Sequence, residues 1–348
     1  MDMQNTPHRR YNPLLDEWVK VSPHRTARPW NGQVEKPQVS DLKQYDENCY
    51  LCPGNTRAGG RVNPEYTEPF VFDNDYSALL PDVEHFSQQQ GPDDMLKAES
   101  ERGICRVACF SPRHDLTLSR MDQRSIEQVI EMWRDEYNQL GSLDYINHVQ
   151  IFENRGEVMG CSNPHPHCQI WAEQQIPTIP EKEIEMQGQY YRKHDRPLLL
   201  DYLAYELEQG EHIVADDTYF TALVPYWAVW PFETMILPKQ QITSLSEIST
   251  DQISSLASLM RTLGIKMDNL FATSFPYSMG IHQAPTDGKS YPGLQMHIHY
   301  YPPLLRSATV RKFMVGYELM AMPQRDLSAE TSAQRLRDQS NVHYLERM

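Results

Sequence analysis

The sequence predicts an α+β protein of two related halves, with a largely antiparallel sheet and flanking helices. Three observations carry that expectation. Two long apolar stripes at helical spacing each lie between strand-like runs, and each series closes on two histidines one residue apart. Proline, at 25 of 348 residues, suits a loop-rich chain with β-structure better than a helical bundle.

In chain order, Trp18-Val19-Lys20-Val21 alternates and then breaks at Ser22-Pro23, as a short strand running into a loop that carries Arg25 and Arg28 would. Residues 83–101 are polar and turn-rich, and read as a surface excursion. Residues 107–118 form a strand-like run containing proline. A helix is then expected from Asp122 as N-cap, with Ile126, Val129, Ile130, Trp133, Tyr137 and Leu140 on one stripe and Gly141 as its stop. The extended run 149–154 follows, and after it His165-Pro166-His167. The second series repeats this order: a run at 223–237, a helix from Thr250 with Ile253, Leu256, Ala257, Met260, Leu263 and Met267 on one stripe, a run at 275–282, and His297-Ile298-His299. The two halves are placed at residues 1–178 and 179–348.

Composition narrows the function. Forty-seven acidic against 32 basic side chains leave a formal charge of −15, which argues against a nucleic-acid partner. No run approaches the ~18 apolar residues of a membrane span, and Met1 to Arg10 lacks a targeting segment, so a cytoplasmic protein is expected. Six cysteines are too few for a disulfide framework, and only Cys49 and Cys52 stand at a chelating interval. That pair is half of a tetrahedral zinc site, and redox or core cysteines fit it equally well.

On a strand, His165, His167 and Gln169 would share one face, as would Gln295, His297 and His299. Such polar faces are costly to bury without partners, which points to chemistry or to metal. Gly160-Cys161-Ser162-Asn163 supplies a small-residue turn at which backbone N–H groups can approach a phosphate. A neutral imidazole at His167 can attack phosphorus through one nitrogen while the other is held by a carbonyl, and Gln169 can donate its amide to a phosphoryl oxygen. Glutamine cannot deliver a proton. The site therefore favours leaving groups and nucleophiles that are already ionised phosphates, which is transfer rather than hydrolysis.

Arg9-Arg10-Tyr11-Asn12-Pro13, Val21-Ser22-Pro23-His24-Arg25, Cys49-Tyr50-Leu51-Cys52, the run from Gly160 to His167 and the run from Pro302 to Phe313 together resemble the galactose-1-phosphate uridylyltransferase family of the histidine-triad superfamily. The resemblance implies two histidine-triad-like halves and a ping-pong exchange. In that exchange UDP-glucose gives its uridylyl group to His167, releasing glucose 1-phosphate, and galactose 1-phosphate takes the group as UDP-galactose. By the same resemblance Gln169 and Ser162 contact the phosphates, and Arg25, Arg28, Asn74, Asp75, Asn154, Gly160 and Cys161 line the nucleotide site. A homodimer completes each site with Lys312, Phe313, Tyr317, Glu318 and Gln324 of the neighbouring chain. His114 and His165 join Cys49 and Cys52 in a structural zinc site, and Glu183, His282, His297 and His299 form a second site for iron or zinc. Cys168 departs from the family's usual glycine; on the opposite strand face it is expected to be tolerated while adding a thiol near the nucleophile. Two other readings share these residues: a histidine-triad hydrolase or dinucleotide phosphorylase, and a zinc-stabilised nucleotide-binding protein without turnover.

Overall fold

A computed structural model describes residues 3, 5–27 and 43–347. Arg28 lies outside the described residues. In chain order the strands are β1 (His8–Asn12), β2 (Glu17–Val21), β3 (Phe70–Asp73), β4 (Ser87–Gln90), β5 (Leu96–Glu99), β6 (Gly103–Cys109), β7 (His148–Arg155), β8 (His167–Glu173), β9 (Ile213–Asp216), β10 (Phe220–Leu223), β11 (Thr234–Pro238), β12 (Tyr277–His282), β13 (His297–Tyr301) and β14 (Gln324–Arg325). The α-helices are α1 (Gln123–Gly141), α2 (Thr178–His194), α3 (Leu198–Gln209), α4 (Thr250–Phe271), α5 (Tyr317–Met320) and α6 (Ala329–Arg337).

Nine strands form one antiparallel sheet in the order β3-β6-β8-β7-β12-β13-β11-β10-β9. The series β6-α1-β7-β8 recurs as β11-α4-β12-β13, with the last strand inserted between the first and third each time. The two series meet where β7 pairs with β12, Glu153 opposite Met279, so a single sheet runs through both halves. β8 opens with His167 and β13 with His297. The architecture is α+β, as expected.

Helices α1 and α4 cover one face of the sheet. Their stripes, including Ile126, Val129, Ile130 and Trp133 on one and Leu256, Met260 and Leu263 on the other, pack on Ile151, Ile170, Met279 and Ile298 in one core. Asp122 caps α1 by accepting from the Ser125 N–H at 2.9 Å, and Ser249 with Gln252 forms a capping box on α4. Gly141 does not stop α1. It is the last helical residue, Ser142 is the C-cap, and a β-carbon at 141 would come within 2.4 Å of the Thr286 side chain, so close packing rather than a left-handed turn explains the glycine. The expected strand at 223–237 is two strands: β10 ends at Leu223 and β11 starts at Thr234, with Pro225 and Pro231 in the segment between. Residues 83–101 carry the β4–β5 hairpin, whose strand residues are all exposed.

The opposite face is divided. Leu198, Leu199 and Leu203 of α3 pack on Leu223, Met235 and Leu237 over the second half. The segment carrying Cys49, Leu51 and Cys52 packs on Val107 and Cys109 over the first. The small sheet of β1, β2 and β14 lies apart from the main sheet; β14 runs parallel to β2, with Gln324 opposite Lys20.

A largely buried ionic cluster gathers three segments distant in sequence. His212 lies 2.7 Å from Glu206 through Nδ1 and 3.3 Å from Glu330 through Nε2, and Arg10 donates to Glu330 at 2.8 Å. Burial alone would lower the His212 pKa, but the two carboxylates outweigh it and raise it to about 9. The protonated ring therefore stabilises the fold fully below pH ~6.5, and that share, on the order of 2–3 kcal/mol, is lost as pH rises from there through about 9. Denaturant midpoints measured from pH 6 to 10 should fall across this interval, and His212→Gln should flatten the fall. An unchanged slope in the variant would remove His212 from the account.

Candidate active site and metal centres

His167 and Gln169 project from β8 on the face away from α1 and α4, while Cys168 and Ile170 enter the core, as alternation requires. His165 stands just ahead of β8, which begins at His167; Asn163 Oδ1 accepts its backbone N–H at 3.0 Å, and its ring meets Cys52 and His114. Gln295 likewise stands just ahead of β13, and its amide donates to the carbonyls of Pro238 and Gln240.

The His167 Nδ1–H donates to the carbonyl of His165 at 2.7 Å, which fixes the tautomer and leaves the Nε2 lone pair free. Burial lowers its pKa below the ordinary histidine value against the opposing effect of that hydrogen bond, so the ring is neutral at pH 7. Around it lies a pocket of roughly 160 Å³ lined by Tyr50, Asn154, Gly160, Cys161, Ser162, Asn163 and Gln169.

Two amides in this pocket are oriented from behind. The Trp171 indole N–H donates to Gln169 Oε1 at 3.2 Å, and an indole can only donate, so the Gln169 NH2 group is the end left for a ligand. The Ser278 hydroxyl donates to Asn154 Oδ1 at 2.7 Å with the same consequence for Asn154. Trp171 shares the β8 face at i+2 from Gln169, so strand alternation could have found it; Ser278 comes from β12, and no signal in the sequence pairs it with Asn154. The pocket thus presents a neutral imidazole with one nitrogen free, amide donors and a small-residue turn.

Other expected substrate residues stand elsewhere. Asn74 and Asp75 line a larger cavity of about 600 Å³ at the β3–β6 edge, together with Arg61, Tyr76 and Arg106. Lys312, Glu318 and Gln324 form a third group: Lys312 Nζ donates to Glu318 and, at 2.7 Å, to the Gln324 carbonyl, and the Lys20 ammonium donates to the Tyr317 hydroxyl at 2.7 Å. Arg25 joins it through Asp326 at 3.4 Å. Phe313 and Tyr317 are 62% and 49% exposed, and no residue of this group lines the pocket of the same chain's His167.

Cys49, Cys52, His114 and His165 converge, with ligand atoms all within 4.8 Å of one another. Cys52 Sγ lies 3.7 Å from His114 Nδ1 and 3.5 Å from His165 Nδ1, while His165 Nε2 donates to the Ser111 carbonyl at 2.9 Å. Burial, with Cys49 adding to it, pushes the Cys52 thiol up to about 11, so a thiolate here calls for a cation, and two thiolates with two imidazoles are compatible with zinc. Glu183, His282, His297 and His299 form a second set on the same sheet face. The Glu183 carboxylate lies 2.6 Å from His282, 3.2 Å from His297 and 3.7 Å from His299. Both ring nitrogens of His299 are buried without a hydrogen-bond partner among the described residues, His297 Nε2 has only its approach to Glu183, and burial lowers the His299 pKa to about 3. Unpartnered nitrogens converging on one carboxylate fit a bound metal ion.

Cys168 is fully in the core, where the Trp133 indole N–H donates to its sulfur at 3.3 Å and burial raises its pKa well above the ordinary thiol value. The thiol is next to His167 in sequence but is separated from it by the sheet.

The family model "Galactose-1-phosphate uridyl transferase, N-terminal domain" matches residues 1–177, and the corresponding C-terminal domain matches residues 183–348. A galactose-1-phosphate uridylyltransferase of Haemophilus influenzae is 51% identical over 98% of this chain and 97% of its own length. Those of Rattus norvegicus and Saccharomyces cerevisiae are 50% identical (97% and 89% covered) and 45% identical (100% and 98% covered). Among solved structures, an ADP-glucose phosphorylase from Arabidopsis thaliana with bound ADP-glucose superposes with a TM-score of 0.76 at 21% identity, covering 96% of this chain and 100% of that one. A uridylyltransferase structure follows at 0.73 and 22%, covering 95% and 97%. At these identities the structures establish the shared fold.

His165→Ala should lower the metal content of the purified protein by elemental analysis, because it removes one of four convergent donors. Full metal retention in a folded variant would strike His165 from the ligand set.

Proposed function

The chain belongs to the galactose-1-phosphate uridylyltransferase family, and from that premise we propose how its residues transfer a uridylyl group between UDP-glucose and galactose 1-phosphate. The observation that carries the proposal is the His167 ring, neutral, donating Nδ1–H to the His165 carbonyl and presenting Nε2 to the pocket.

Nε2 attacks the uridine-bearing phosphorus of UDP-glucose, the bond to the bridging oxygen breaks, and glucose 1-phosphate leaves as an anion that needs no proton. In the second half-reaction the phosphate oxygen of galactose 1-phosphate attacks the same phosphorus, the P–N bond breaks, and His167 returns to its neutral state with Nδ1 still protonated. The NH2 groups of Gln169 and Asn154, with Ser162 and the turn at Gly160 and Cys161, donate to the phosphoryl oxygens as charge develops. Neither half-reaction needs a general acid, and Gln169, whose amide cannot deliver a proton, suits transfer better than hydrolysis.

Asn74 and Asp75 belong to the nucleotide site at the β3–β6 edge, and Arg25, grouped with Lys312 through Asp326, lines the nucleotide site of the neighbouring subunit. Lys312, Phe313, Tyr317, Glu318 and Gln324 serve the hexose phosphate of a neighbouring subunit in a homodimer; their distance from their own chain's pocket and the exposure of Phe313 and Tyr317 support that reading. Residues 1–178 act as the nucleophile half and 179–348 as the half carrying the second metal and the donated segment. Cys49, Cys52, His114 and His165 hold zinc in a closed set whose role is to fix the chain ahead of β8, and Glu183, His282, His297 and His299 hold iron or zinc in a stabilising role. No helix among the described residues is long and apolar enough to cross a membrane, which accords with a cytoplasmic enzyme.

Incubation of the purified protein with UDP-glucose alone should add one uridylyl mass and release glucose 1-phosphate in equal amount, and His167→Ala should abolish both with the fold intact. Adduct on another side chain would refute the assignment, and continuous UMP release would favour a hydrolase. Trp171→Phe frees the Gln169 amide to rotate and should lower the rate of adduct formation on the order of 10-fold at unchanged metal content. A wild-type rate would show that Gln169 needs no such support.

A further inference from the structure

One buried side chain touches both the thiol cluster and the segment that holds the nucleophile. Asn163, 8% exposed, donates from Nδ2 to Cys49 Sγ at 3.4 Å, and its Oδ1 accepts the backbone N–H of His165 at 3.0 Å. His165 in turn faces Cys52 with Nδ1, donates from Nε2 to the Ser111 carbonyl, and accepts the His167 Nδ1–H on its own carbonyl at 2.7 Å.

We propose that Asn163 is a positioning residue that couples metal binding at Cys49, Cys52, His114 and His165 to the orientation of His167. The proposal rests on reading those four residues as ligands and His167 as the nucleophile. The coupling follows from the geometry: one amide bridges the Cys49 sulfur and the His165 N–H. A metal-bound thiolate has no proton and can only accept. Metal binding therefore leaves one arrangement for the amide: NH2 to the Cys49 sulfur, oxygen to the His165 N–H. That bond sets the path of the chain through His165, and with it the carbonyl that holds His167. Outer hydrogen bonds of this kind orient metal ligands and tune the electron density on them.

The test uses full-length protein loaded with cobalt(II) in place of zinc, read by thiolate-to-metal charge-transfer absorption, by cobalt affinity, and by the rate of uridylyl-adduct formation at metal saturation. Loss of an N–H···S bond makes the thiolate more electron-rich. Both Asn163→Ala and Asn163→Asp should thus shift the charge-transfer band to longer wavelength and weaken cobalt binding on the order of 10- to 100-fold. Asn163→Asp keeps an acceptor for the His165 N–H and should retain most of the adduct rate, whereas Asn163→Ala should lose on the order of 10-fold in rate with the KM for UDP-glucose unchanged. Should the alanine variant not fold, the aspartate variant alone still reports the band. A band and an affinity matching wild type in either folded variant would overturn the proposal while leaving ligands and nucleophile in place. If wild-type protein shows no cobalt–thiolate band, or carries no uridylyl group, the underlying reading falls and the proposal falls with it.

Discussion

The bond from the His167 Nδ1–H to the carbonyl of His165 is the contact on which the active face depends. It selects the tautomer, aims Nε2 into the pocket, and opposes the burial that depresses the pKa of the ring. A backbone carbonyl is a useful partner only if the backbone is fixed. Here the fixing comes from outside β8: the His165 ring points into the Cys49, Cys52 and His114 cluster, its far nitrogen is held by Ser111, and its N–H is held by Asn163. The cluster of Cys49, Cys52, His114 and His165 therefore supports the segment that holds the His167 ring.

The same sheet face is used twice. On β8 and β7 it presents His167, Gln169 and Asn154 to a pocket; on β13 and β12 it presents His297, His299 and His282 to Glu183 of α2. What differs is the cover. Glu183 of α2 closes over the second copy, where burial strips water from the imidazoles and the carboxylate faces their nitrogens. The first copy stays open, and its polar groups are arranged to leave donors spare. Trp171 and Ser278 occupy the oxygens of Gln169 and Asn154, so the free ends of both amides are N–H groups, which suits phosphoryl oxygens and nothing positively charged.

The sheet also acts as insulation. Cys168 adjoins His167 along the chain, yet strand alternation sends it to the opposite side, against Trp133, where its raised pKa and burial leave it unreactive. The thiol therefore acts on the core packing under β8 and has no route to the chemistry above it.

Much of this was legible in the sequence, because it depends on local rules. Helical spacing placed α1 and α4, alternation placed His167 and Gln169 on one face, and the two-residue gap between Cys49 and Cys52 marked a chelating turn. Local rules also misled where a neighbour in space took over. Gly141 looked like a helix stop and is instead a point of close approach to Thr286, and His165 looked like a strand residue but precedes β8, its N–H taken by Asn163. Spacing held no sign that Glu183 meets three histidines about a hundred residues further on, a grouping that came from the family resemblance, and only the tertiary structure decided that Ser278 orients Asn154. The reason is physical. Spacing along one element fixes which face a side chain takes, but its partner across the sheet follows from strand register and helix cover, which are settled by burying the whole core at once and leave no short-range trace in the chain.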